Sequence, residues 1–157
     1  MTMSTARQIE QQAKELYQQD YFAWTQQQAE MLRAGQMSSV DAQNLAEEVE
    51  DLGRSEKRAL ASHMTVLLAH LLKWQYQPEL RSKSWQRTIA TQRKEVHYEL
   101  AASPSLKSLF SDPEWMDLVW SRATVLAGEE TGIDIDTFPE GCPWGMPDVL
   151  QDGWLPE

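Results

Sequence analysis

Apolar positions along the chain recur at spacings of three and four wherever a pattern can be found, which predicts helix throughout and no β-hairpin. Residues 5–19 are polar and helix-favouring. Asp20 is placed to cap a helix from Tyr21 to Ala34 that Gly35 ends, with Phe22, Ala29 and Leu32 on its apolar side. Ser39 is a plausible cap for the next helix. Ala42, Leu45, Val49 and Leu52 form a stripe that resumes after Gly53 at Leu60, Met64, Leu67, Leu71 and Trp74. Counted at 100° per residue the two halves stay in phase, so one helix is expected from about Val40 to Tyr76. The alternative is a break at Gly53–Ser55, because glycine inside a helix costs about 1 kcal/mol relative to alanine.

Pro78 removes a backbone donor and disfavours helix at Gln77. PELR is then a turn, and Ser82 or Ser84 caps a helix to about Ala101 with Trp85, Ile89, Gln92, Val96 and Leu100 on one face. So short a connection makes the two helices antiparallel neighbours, with His63 near Val96 and His97. Ser103-Pro104 starts a short helix to about Phe110. Asp112-Pro113-Glu114 starts another that stops at Gly132. That last helix is apolar on two sides. Trp115, Leu118, Val119 and Leu126 form one, and Met116, Trp120, Ala123 and Ala127 the other, so it is central or meets a second chain. Residues 132–157 are rich in proline and glycine but carry Phe138, Trp144, Leu150 and Trp154, too apolar for a free tail.

The expected fold is therefore all-α: a bundle built on a long antiparallel hairpin, with an irregular C-terminal tail packed on it. The whole chain, 1–157, is read as one domain, with 1–20 as an N-terminal helix or arm. A chain of 157 residues suits one domain. Its single cysteine, Cys142, forms no internal disulfide and suggests a reducing compartment. The N-terminus shows no apolar signal-peptide core, and the run Val66–Leu72 is too short to span a bilayer. A cytoplasmic location without membrane contact is expected.

The net charge of −10 is unevenly spread. Residues 41–56 carry six acids (Asp41, Glu47, Glu48, Glu50, Asp51, Glu56) against Arg54 alone, and residues 57–99 carry an excess of bases. A basic middle between acidic ends can neutralise itself on folding. Nucleic-acid binding through residues 73–94 would need those cations unpaired on one face, while the flanking acids repel phosphate.

Glu56, His63, His70 and Gln77 recur every seven residues as a polar column. Seven helical residues advance about 10.5 Å, so His63 and His70 cannot readily share an ion with bonds of about 2.1 Å. No metal motif is evident, and satisfied histidines at the edge of the core are the preferred reading. Arg81, Arg87, Arg93 and Lys94, beside the helix start at Ser82–Ser84, could hold an anion; arginines paired with the protein's own acids would look the same in sequence. The ligand-site candidates at the closed end of the hairpin are His70, Lys73, Gln77, Arg81, Ser84 and Arg93, with Glu48 as a reserve acid. No catalytic residue and no cofactor can be named.

The segments YFAWTQQQAEMLRAG, NLAEEVEDLGRSEKRAL, LLAHLLKWQYQPELRSKSWQRTIATQR, SPSL and ETG…FP…CP, in this order and spacing, resemble the bacterial family catalogued as domain of unknown function 29. The resemblance covers about Tyr21 to Pro143. It implies an all-helical intracellular protein and no activity. Family-typical polar residues would fall on Glu47, Glu48, Asp51, Arg54, His70, Lys73, Gln77, Arg81, Ser84, Trp85 and Arg93. Trp115–Trp120 and the last dozen residues look less typical.

Three functions stay open. The first is a non-enzymatic interaction module, expected to form a homo-oligomer or bind a protein partner. The second is an anion- or small-molecule-binding protein, with enzymatic activity left open. The third, nucleic-acid binding, is placed last.

Overall fold

The computed structural model describes residues 3–157. Its helices are α1 (Met3–Gln19), α2 (Tyr21–Arg33), α3 (Ala42–Tyr76), α4 (Lys83–Ala102), α5 (Pro113–Thr131) and the single turn α6 (Met146–Val149). Short 3-10 segments lie at Pro78–Leu80, Pro104–Ser111 and Ile135–Thr137, and no strand occurs among the described residues. The fold is all-α.

Local chemistry sets most of the helix ends. The Asp20 carboxylate accepts from the Ala23 N–H at 3.0 Å and starts α2, and Gly35, at φ 72°, follows its end in the left-handed region. The Ser82 hydroxyl accepts from the Trp85 N–H and starts α4, so Ser84 lies inside the first turn. Asp112 accepts from the Glu114 N–H at the head of α5, and Gly132 closes that helix at φ 76°. At the head of α3 the expected Ser39 cap is corrected to Asp41, whose carboxylate faces the Asn44 N–H at 3.4 Å. The helix therefore opens two residues later than the apolar pattern suggests.

Helix α3 runs unbroken for 35 residues through Gly53. The chain nevertheless divides, just after that glycine, into two compact units, Met1–Arg54 and Ser55–Glu157.

In the first unit the buried positions include Ala6, Ala13, Trp24, Gln28, Val40 and Asp41. Trp24 and Gln28, not Phe22 and Leu32, form the inward side of α2. Phe22 is 72% exposed and Leu32 41% exposed. In the first half of the α3 stripe Leu45 is half-buried, while Val49 is 65% and Leu52 69% exposed. The periodicity is real, but only its second half is covered within the chain.

That second half forms the core of the second unit. Leu60, Met64, Leu67, Leu68, Leu71 and Leu72 pack with Ile89, Val96 and Leu100 of α4 and with Val119, Ala123 and Ala127 of α5. Each large aliphatic side chain so buried contributes roughly 1.5–3 kcal/mol. His63 Nδ1 lies 2.8 Å from Gln92 Oε1, and the Lys73 ammonium sits over the Trp85 ring. An early residue of the second half of α3 thus meets a later residue of α4, and the reverse, as antiparallel arms require. The His63 contact falls about one turn earlier on α4 than the sequence suggested.

The tail resolves the two-sided character of α5. Trp115, Val119, Trp120, Ala123 and Ala127 form a single wide buried stripe, with Leu118 and Val125 outward. The Trp120 indole N–H donates to the Pro139 carbonyl at 2.9 Å, and its ring meets Trp144 edge-on, which in turn meets Trp154. Phe138 stands edge-on to Tyr76. The second apolar side of α5 is thus covered by its own C-terminal segment.

Candidate functional site

The closed end of the hairpin gathers charged residues on both sides of the Pro78–Leu80 turn. Lys73, in the last turn of α3, is almost buried: its side chain is 11% exposed and its ammonium lies 2.7 Å from the Glu130 carboxylate of α5. The same ammonium sits 4.9 Å from the centroid of Trp85. The indole face and the carboxylate thus hold the ammonium from two sides. Arg81 lies over Trp74 at 4.9 Å and donates from Nε to the Trp74 carbonyl at 2.8 Å, which satisfies one of the orphan acceptors at the end of α3.

His70 donates from Nδ1 to the Val66 carbonyl one turn back, at 2.9 Å. Burial pushes its pKa below the ordinary histidine value and the nearby Lys73 charge adds to this; the Val66 bond and Glu130 pull the other way. Gln77 is half-buried just past α3, and Ser84 is exposed in the first turn of α4.

Arg93 is only 2% exposed. It donates from Nε to the Val149 carbonyl at 2.8 Å and from a terminal nitrogen to the Trp154 carbonyl. His97, one turn on, donates from Nε2 to the Leu150 carbonyl at 2.8 Å. These two α4 residues act as latches for the tail.

The cations of the predicted cluster are thus engaged within the chain: Lys73 by Glu130 and Trp85, Arg81 by Trp74, Arg93 by the tail. The pairings of Lys73 with Glu130 and of Arg93 with the tail were not legible in sequence, because their partners lie 56–61 residues away. Lys83, Arg87 and Lys94 remain exposed on α4.

Glu48 belongs to the other compact unit, where it performs a different task. The hydroxyls of Tyr17 and Tyr21 both donate to it at 2.6 Å, one to each oxygen. The bond to Glu48, more than any other influence, pushes the Tyr17 pKa up to about 12. The two phenol rings and Trp24 pack on one another at 4.7–5.8 Å between centroids. Asp41, fully buried, accepts from the Trp24 indole N–H at 3.2 Å and from the Asn44 amide at 2.7 Å, and its backbone N–H donates to Gln28 Oε1. Asp41 is the organising residue the sequence reading missed; only its position one residue before a helix start pointed to it.

This polar network holds α2 against the first turns of α3. On the outside of that pair lie two adjoining clefts, of about 230 and 550 Å³. Leu32, Leu45 and Val49 line both. Tyr21, Trp24, Ala29, Glu48 and Leu52 also line the first, and Val40, Ala42, Ala46 and Glu50 the second. A third cleft of about 460 Å³, in the second unit, is lined by Asp117, Ser121, Asp136 and Glu140 over Trp120.

Among the described residues no group of three or more His, Cys, Asp or Glu side chains is placed to hold a metal ion. Burial pushes the Cys142 thiol pKa upward, which disfavours the thiolate. No described helix is long and apolar enough to cross a membrane.

The model of one protein family, described as Domain of unknown function DUF29, matches residues 16–155 of the chain. No curated protein and no solved structure matches it.

Proposed function

We propose, from the premise that the chain belongs to the family of the domain of unknown function DUF29, that it is a non-enzymatic protein-interaction module. Its contact surface is the bare side of the α2–α3 pair. One observation carries the reading: Leu45, Val49 and Leu52 keep strict helical spacing, yet Val49 and Leu52 are 65% and 69% exposed. A periodic apolar stripe on a surface helix ordinarily faces a core. Where it faces outward beside further apolar side chains, it marks an association surface.

The anion and nucleic-acid readings draw less support. Both draw on the cations of residues 73–94, of which Lys73, Arg81 and Arg93 already have partners in the chain and Lys83, Arg87 and Lys94 stay exposed. The second apolar side of α5 meets the tail, and the uncovered apolar stripe lies in the first unit.

Photo-crosslinking inside the producing cell tests the reading. A photoreactive amino acid at Val49 should give one discrete product of higher mass, absent when it replaces exposed Lys94 on α4. Equal smears from both positions, or no product at Val49, would reject the interaction surface.

A further inference from the structure

We propose that the surface of α2–α3 receives a basic amphipathic helix of another protein, with lysine or arginine flanking a leucine-type stripe. This rests on the preceding reading and names the chemistry of its partner. The shape argument comes first. Exposed Ala42, Val49 and Leu52 and half-buried Leu45 follow one line along α3, and Leu32 and Ala29 of α2 form the second wall. From Ala42 to Leu52 the line rises about 15 Å, close to three turns of a docked helix. A groove between two helices, apolar along its floor, is the shape that accepts the stripe of a third, anchored at its i, i+3 or i+4, and i+7 positions.

Charge then selects among occupants. The titratable residues lining the two clefts are Glu48, Glu50 and Tyr21, and no cation lines either. Glu47 is exposed beside them, and Arg54, the single base of residues 41–56, is occupied by Asp51 and Glu50. Tyr17 and Tyr21 each donate to one oxygen of Glu48, which favours the carboxylate staying beside the cleft. A second copy docked through the same face would bring an acidic, cation-free lining to both sides of the seam, where the carboxylates find no opposite charge and repel one another. A helix flanked by Lys or Arg meets the same carboxylates as partners and gains a faster approach. Each carboxylate oxygen of Glu48 keeps acceptor capacity beyond its phenol bond.

The probes are two labelled synthetic helical peptides of identical pattern, one of leucine and lysine, the other of leucine and glutamate. Fluorescence anisotropy against the full chain is expected to saturate with the lysine peptide and not with the glutamate peptide. Val49→Ser with Leu52→Ser should weaken the lysine peptide at least tenfold, and Glu47→Lys with Glu50→Lys should weaken it and flatten its salt dependence. Since all four residues are exposed, circular dichroism melts of both variants should match the parent. Equal binding of the two peptides, or lysine-peptide binding indifferent to Val49→Ser and Leu52→Ser, overturns the proposal. So does a dimer in sedimentation that those two substitutions dissolve, because the occupant is then a second copy. A discrete crosslink at Val49 with no lysine-peptide binding would leave the interaction surface standing and remove only its basic partner.

Discussion

Arg93 on α4 donates its Nε hydrogen to the carbonyl of Val149, 56 residues further along the chain, at 2.8 Å. A second donor of the same guanidinium reaches the Trp154 carbonyl. One buried cation thus satisfies two backbone acceptors of a segment that has almost no regular structure to satisfy them. The tail is fastened by a side chain that a sequence reading assigns to a ligand. Removing it should leave two acceptors without partners. Arg93→Met is expected to destabilise the second unit by about 2–4 kcal/mol, read as a fall in the urea midpoint, and to speed amide exchange over residues 149–154. Arg93→Lys should recover only part of the loss, because one ammonium cannot reproduce the planar fork. Unchanged exchange in the tail would show that its aromatic contacts alone hold it.

The Lys73–Glu130 pair is half-screened, since the Glu130 side chain is 39% exposed. Glu130→Ala should therefore cost about 1–3 kcal/mol, less than a fully buried pair. Lys73→Met in the Glu130→Gln background should restore much of it, because the methionine stem packs where the ammonium stood. A double-mutant cycle in thermal melts gives the coupling. A coupling near zero would mean that Trp85 holds Lys73 by itself.

Two glycines are expected to respond oppositely to alanine. A Cβ at Gly53 meets nothing within 4 Å, and the residue lies inside α3. Gly53→Ala should stabilise by about 0.5–1 kcal/mol. At Gly128 a Cβ would come within 2.8 Å of the Ile135 side chain and 3.2 Å of the Ile133 carbonyl oxygen. Gly128→Ala should destabilise by about 1–3 kcal/mol. Parallel urea titrations of the two variants check the signs.

His70 links stability to pH. Its folded-state pKa lies below the ordinary value of 6.5 because burial disfavours the imidazolium. The unfolded chain therefore binds the proton more tightly. Its contribution is fully present above about pH 6.5 and is lost as pH falls toward the lower folded value. Urea unfolding at neutral pH and at mildly acidic pH should show a fall in stability that His70→Gln reduces. An identical fall in the variant would assign the effect to other groups.

The hairpin was legible because its signals are local: a helical stripe from Leu60, a proline at position 78 and a serine cap at 82. Helix α3 kept its phase across Gly53 as the counting implied. The exposure of Val49 and Leu52 was not legible, because periodicity reports that a stripe exists and not what covers it. The fate of α5 shows the converse. Its second apolar side looked unpartnered until the irregular tail, which has no period to read, was found to cover it. The candidate site suffered most. Charged and polar residue types near the turn could be named from sequence, but the pairing of Lys73 and Arg93 with Glu130, Val149 and Trp154 depends on chain reversals far downstream.

Helix α3 contributes residues to both compact units, and between Val49 and Arg58 every residue is exposed. With every side chain there exposed, this turn-by-turn ladder rests on local helix propensity and the exposed Arg54 pairs, with a glycine at its weakest rung. Limited trypsin digestion of the native protein should therefore nick the chain first at Arg54, Lys57 or Arg58 and release two resistant fragments, and alanine at position 53 should slow that first cut.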